Sequence, residues 1–90
     1  MTRVMTEDEL QQAIQDANEA LDSLTGPSQY KAPFPEHEVR RREIILLRQV
    51  TAYKILEARE KGEKHLELFN TDIYDAMTSF LESYQYHSGN

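Results

Sequence analysis

The sequence predicts an all-α fold: a three-helix domain organised around one long central helix at about residues 36–61. Three observations predict it. Apolar residues recur at alternating spacings of three and four, helix start and stop signals punctuate that pattern, and glutamates precede basic residues by four positions through the middle of the chain.

The first helix is expected over about 7–24. Thr6 followed by Glu9 is a capping-box pair, in which a hydroxyl and a carboxylate each satisfy an orphan backbone N–H. Glu7, Asp8 and Glu9 sit where the helix dipole favours negative charge. Leu10, Ile14, Ala17, Leu21 and Leu24 then form one seam, widened by Ala13 and Ala20. Gly26 and Pro27 are the expected stop.

Residues 25–35 read as a linker held extended by Pro27, Pro33 and Pro35. Its two aromatics, Tyr30 and Phe34, are unusual for a solvated connection. They are expected to fold back over the core, with Phe34 at the start of the next helix, or else to serve as anchors for a partner.

The second helix is expected to begin near Pro35 or Glu36 and to end near Lys61, capped by Gly62. Glu36–Arg40, Glu38–Arg42, Glu57–Lys61 and Glu60–Lys64 are the supporting pairs. Its centre, Ile44-Ile45-Leu46-Leu47, points apolar groups in every direction. Two stripes extend from it, one through Val39, Leu46, Val50 and Tyr53, the other through Ile44, Leu47, Thr51, Ile55 and Ala58. A shorter patch holds Ile45, Ala52 and Leu56. A helix apolar on several sides is normally central and covered. At 1.5 Å per residue it would be about 39 Å long. A compact chain of this size has a radius of gyration near 12 Å, so the helix is expected to outrun its own domain.

Residues 63–69 are ambiguous, because Leu66 and Leu68 alternate like a short strand while Leu66, Phe69, Ile73, Met77, Phe80 and Tyr84 make a helical stripe. A loop or turn is expected there. The third helix is then expected over about 71–85, capped at Asn70 or Thr71 and burying Ile73, Ala76, Met77, Phe80, Leu81 and Tyr84.

Composition narrows the function classes. Ninety residues without cysteine form one small helical domain with neither disulfide nor thiolate metal site to supplement its core. The amino terminus lacks the apolar stretch of a secretory signal, and no apolar run approaches a membrane span. The expected location is cytoplasmic, with no membrane partner. The formal net charge of −6 is distributed as acidic ends around a mildly basic middle.

Catalytic and cofactor signatures are not found. His37, His65 and His87 have neither zincin nor zinc-finger spacing, nor the Glu-x-x-His pairs of di-iron bundles. The glycines, Gly26, Gly62 and Gly89, are too dispersed for a phosphate-binding loop. The chain therefore reads as non-enzymatic, without metal or cofactor. The expected role is a protein–protein interaction protein, a small helical adaptor, regulator or assembly subunit. It would dock on a protein partner or a second copy through a face of the second helix. Leu46, Val50 and Tyr53 would carry that face, with Tyr30 and Phe34 as aromatic anchors. The alternative is a nucleic-acid-binding accessory protein whose Arg41, Arg48 and Arg59 track phosphates along one side of the same helix.

Overall fold

In the structure, a computed structural model, residues 3–26, 30, 31 and 33–88 are described, with side chains as far as Tyr84. Pro27, part of the expected stop of the first helix, lies outside these residues, and the side chain of His87 lies beyond those described. Among the described residues three helices follow in order: α1 (Glu7–Asp22), α2 (Glu36–Lys61) and α3 (Lys64–Ser88), with a short 3₁₀ turn at Ser23–Thr25. The architecture is all-α with α2 as the central element. Its extents are 44 × 25 × 20 Å and its radius of gyration is 14.3 Å, longer and thinner than a compact chain of this length. The long dimension follows from the 26 residues of α2.

The capping box forms in full. The Glu9 amide donates to Thr6 Oγ1 at 3.1 Å, and the Thr6 amide donates to Glu9 Oε1 at 2.9 Å. Thr6→Ala is expected to cost about 1 kcal/mol, read from urea unfolding. The same geometry holds the Glu9 carboxyl below its ordinary pKa, chiefly through the Thr6 backbone and side chain, with Arg3 adding to it. A carboxyl with a lowered folded pKa stabilises the fold above its unfolded value, and that contribution is lost as pH falls through the folded one. Stability is therefore expected to decline below about pH 4.5, and less steeply in Glu9→Gln.

The end of α1 departs from expectation. Gly26 is extended (φ −85°, ψ −179°) rather than left-handed. The helix closes instead by tightening, with Ser23 Oγ donating to Ala20 O and Thr25 Oγ1 to Asp22 O. Two hydroxyls thus bond to carbonyls of the last turn.

α2 starts on Pro35, whose carbonyl accepts from the Glu38 and Val39 amides. It ends on Gly62 in the left-handed conformation at φ 71°. The Glu63 amide reaches Ala58 O at 2.8 Å and the Gly62 amide reaches Arg59 O at 3.2 Å, the paired bonds of a Schellman cap. That cap reverses the chain within two residues, so α3 begins at Lys64 rather than near 71. Lys64 thereby belongs to a new helix, which removes the helical register expected for Glu60–Lys64. The supposed caps of the third helix lie inside it. Asn70 Nδ2 donates to Leu66 O and Thr71 Oγ1 to Glu67 O, each bonding back four residues.

α1 and α3 both run antiparallel to α2. Arg42 reaches Leu24 O while Arg59 reaches Met5 O, and Arg59 pairs with Glu67 while Arg48 meets Thr78. The core lies where the three helices and the amino-terminal segment converge: Met5, Leu10, Ala13, Ala17, Ala52, Ile55 and Tyr74, with Ile14 and Leu56 packed against it. Ala17 and Ala52 are fully buried, so α1 and α2 approach on small side chains. Burial pushes the Tyr74 phenol up, and its hydroxyl donates to Ala13 O, joining α3 to α1.

Candidate interaction surface

Which sides of α2 the fold covers decides what it can bind. At 100° per residue, Ile45, Ala52, Ile55 and Glu38 point within one half of the helix, and all are buried. The opposite half carries Val39, Leu46, Val50 and Tyr53, and all four are exposed. Leu47, expected on the second stripe with Thr51 and Ile55, is also exposed, at 53%. One apolar stripe of α2 is thus covered by α1 and α3, and the other faces solvent. Tyr53 marks its border with α1, where Asn18 Nδ2 donates to the Tyr53 hydroxyl at 2.9 Å.

α3 adds to this surface, contrary to the expected burial. Its inward seam is Glu67, Thr71, Tyr74 and Leu81. Ile73, Met77 and Tyr84 are half-buried, whereas Ala76 and Phe80 are exposed, as are Leu66 and Phe69, the last at 62%. The physical reason is charge on α2. Arg59 and Arg48 point toward α3, so the side turned to them is the one offering Glu67, Thr78 and the Tyr74 ring. The apolar stripe is rotated outward as a result. Phe69 and Leu66 line a groove with Lys54 and Ala58, and Phe80 lines another with His37 and Arg40. The exposed side of α2 is therefore bordered by α3 aromatics along one edge.

The linker aromatics belong to the start of α2. Tyr30 stands edge-on to His37 at 5.5 Å, with its hydroxyl 3.2 Å from His37 Nε2. His37 stacks in turn on Tyr84 of α3 at 6.3 Å. Phe34 is half-buried with the Arg42 guanidinium 4.3 Å above its ring. Both aromatics fold back on the chain, away from Leu46, Val50 and Tyr53, so the five residues expected to form one docking site divide into two groups.

The arginines of the nucleic-acid alternative do not make a free row. Arg41, Arg48 and Arg59 share a side of α2, and it is the half-buried side. Arg41 pairs with buried Glu38 at 2.8 Å. Arg48 donates to Thr78 Oγ1 and lies 5.5 Å from the Tyr74 ring centre. Arg59 pairs with buried Glu67 at 2.7 Å. Their helical spacing was legible; their partners are Glu38 one turn earlier and, from α3, Glu67, Thr78 and the Tyr74 ring. Phosphate tracking uses exposed cations, and these three are half-buried with partners on the chain itself.

Among the described residues, no group of His, Asp or Glu is placed to hold a metal ion, and no helix is long and apolar enough to cross a membrane. No protein-family model, curated protein or solved structure matches this chain.

Proposed function

We propose that this chain is a non-enzymatic protein–protein interaction unit, an adaptor, regulator or assembly subunit, that docks through the exposed side of α2. The observation that carries this reading is the apolar stripe of Val39, Leu46, Val50 and Tyr53, left at the surface although two other helices pack on α2. Single exposed apolar residues are ordinary; a contiguous patch along a rigid helix is what recognition surfaces use. A rigid helix loses little conformational freedom on docking, so its buried apolar area converts efficiently into affinity. The cysteine-free composition fits a reducing compartment such as the cytoplasm.

The reading separates binding residues from folding residues. Leu46→Gln with Val50→Gln is expected to shift stability by less than about 1 kcal/mol, measured at high dilution, because neither side chain is covered. A photo-crosslinking residue at Val50 in the native cell is expected to trap a discrete protein adduct. The same probe at exposed Gln11 on α1 is expected to trap none. Loss of about 2 kcal/mol or more from the double variant, or no adduct at Val50, would overturn the docking role.

A further inference from the structure

We infer that the occupant of this surface is a second copy of the chain, its α2 lying antiparallel across the first. The inference rests on the docking role above and adds the partner, its direction and its register.

The apolar centre of the exposed side, Leu47 and Val50, is bracketed by charges. Arg40 and Glu43 lie on the amino-terminal side, Lys54 and Glu57 on the carboxy-terminal side, and all four are exposed. Along the axis the order is positive, negative, apolar, positive, negative. Laid parallel on a second copy in register, every charge meets its own kind. Laid antiparallel about an axis between Arg48 and Gln49, the order reverses. Arg40 then faces Glu57 of the partner subunit, Glu43 faces Lys54 of the partner subunit, and Leu47 faces Val50 of the partner subunit. Each contact occurs twice by symmetry. The result is an apolar centre closed at both ends by opposite charges, the arrangement that selects helix direction in paired helices.

The chain's own pairing supports the assignment. Among the described residues Glu43 and Lys54 make no ion pair, and Arg40 and Glu57 make only loose, exposed ones at 3.6 Å, with Glu36 and Lys61. The four charges are thus free to pair across an interface. Elsewhere on the same helix the arginines are engaged at 2.7–2.8 Å, as with Arg59–Glu67 and Arg41–Glu38. The long axis of 44 Å gives α2 the reach for a partner helix, and Phe69 and Phe80 of α3 flank the side on which it would lie.

Light scattering coupled to size exclusion should return twice the 10.5 kDa chain mass at high micromolar concentration. Val50→Glu should weaken association by about tenfold or more while leaving helical circular dichroism unchanged. Glu43→Lys alone should weaken it, and Glu43→Lys with Lys54→Glu in the same chain should restore it, because the swapped charges meet across the interface. Direction is read separately, since the chain has no native cysteine. Glu43→Cys mixed with Lys54→Cys should join through a short bismaleimide. Each variant alone should not, because like positions lie about 16 Å apart along an antiparallel axis. Self-linking of Glu43→Cys would overturn the antiparallel direction. A monomeric mass at every concentration would overturn the second copy. If Val50 then crosslinks to a different protein, the docking role stands without it; if it crosslinks to nothing, both fall.

Discussion

Ile55→Ala is expected to destabilise the chain by about 3–4 kcal/mol and to lower its thermal midpoint by about 15–25 °C. Ile55 is fully buried on α2, and its cluster draws on every element of the fold: Met5 from the amino-terminal segment, Leu10, Ala13 and Ala17 from α1, and Tyr74 from α3. A truncation costs more when its surroundings cannot close the void. Here they are poorly able to do so. α1 and α2 already meet on Ala13, Ala17 and Ala52, so no larger side chain can shift inward between them. Tyr74 is held by its hydroxyl to Ala13 O at 3.1 Å, which restrains the aromatic ring from the third side. Leu46→Ala on the exposed side is the matched control and should cost less than about 1 kcal/mol at high dilution. Chemical denaturation of both variants checks the pair. Equal losses would mean that α1 and α3 do not cover the side of α2 described above.

Glu67→Ala is expected to cost about 2–3 kcal/mol for a different reason. Arg59 donates from Nε at 2.9 Å and from Nη2 at 2.7 Å to a single carboxylate oxygen of Glu67, and Nη2 also reaches Met5 O. The acid is almost wholly buried and the arginine about three-quarters so. This one guanidinium joins α2, α3 and the segment entering α1. Deleting the acid leaves a largely buried cation without its counter-charge, which is costlier than never having had the pair. Replacing both members, Arg59→Met with Glu67→Leu, should therefore recover most of the loss, and a double-mutant cycle in urea measures the coupling. Amide exchange at Met5 and Thr6 should quicken in the single variant, because the Met5 carbonyl loses its anchor. An additive cycle would show that the pair contributes little.

Both predictions concern contacts that no local pattern could reveal. Ile55 stood in the sequence as one member of one stripe among three on α2, with nothing to rank it above Val50 or Leu46. Helical periodicity says that residues share a side; it does not say which side the rest of the chain will cover. Glu67 was less visible still, lying in the stretch that read as strand, loop or turn. Its role depends on Arg59, eight residues earlier and beyond a reversal of the chain. The position of that reversal was legible in Gly62. Its abruptness was not, because the side chains of Asn70 and Thr71 resemble caps until their backbone partners are known.

The candidate surface divides in the same way. Its α2 portion, Leu46, Val50 and Tyr53, could be named from spacing and from the excess of apolar residues over available cover. Its α3 portion could not. An apolar stripe from Leu66 to Phe80 would ordinarily be the buried face. The competing demand came from Arg48 and Arg59, whose partial burial requires a carboxylate, a hydroxyl and an aromatic ring opposite them. That electrostatic demand outweighed the apolar pattern and turned Phe69 and Phe80 outward.

The all-α architecture, the capping box at Thr6, the glycine-capped end of α2 and the length of that central helix were legible in local pattern alone. These depend on backbone hydrogen bonding, side-chain capping and periodicity within a few residues, all of which are encoded locally. Packing between helices set where α3 begins, which apolar stripe became core, and which α3 groups the half-buried Arg48 and Arg59 meet. Those outcomes follow from the mutual rotation of packed helices, which is set by side chains far apart in the chain.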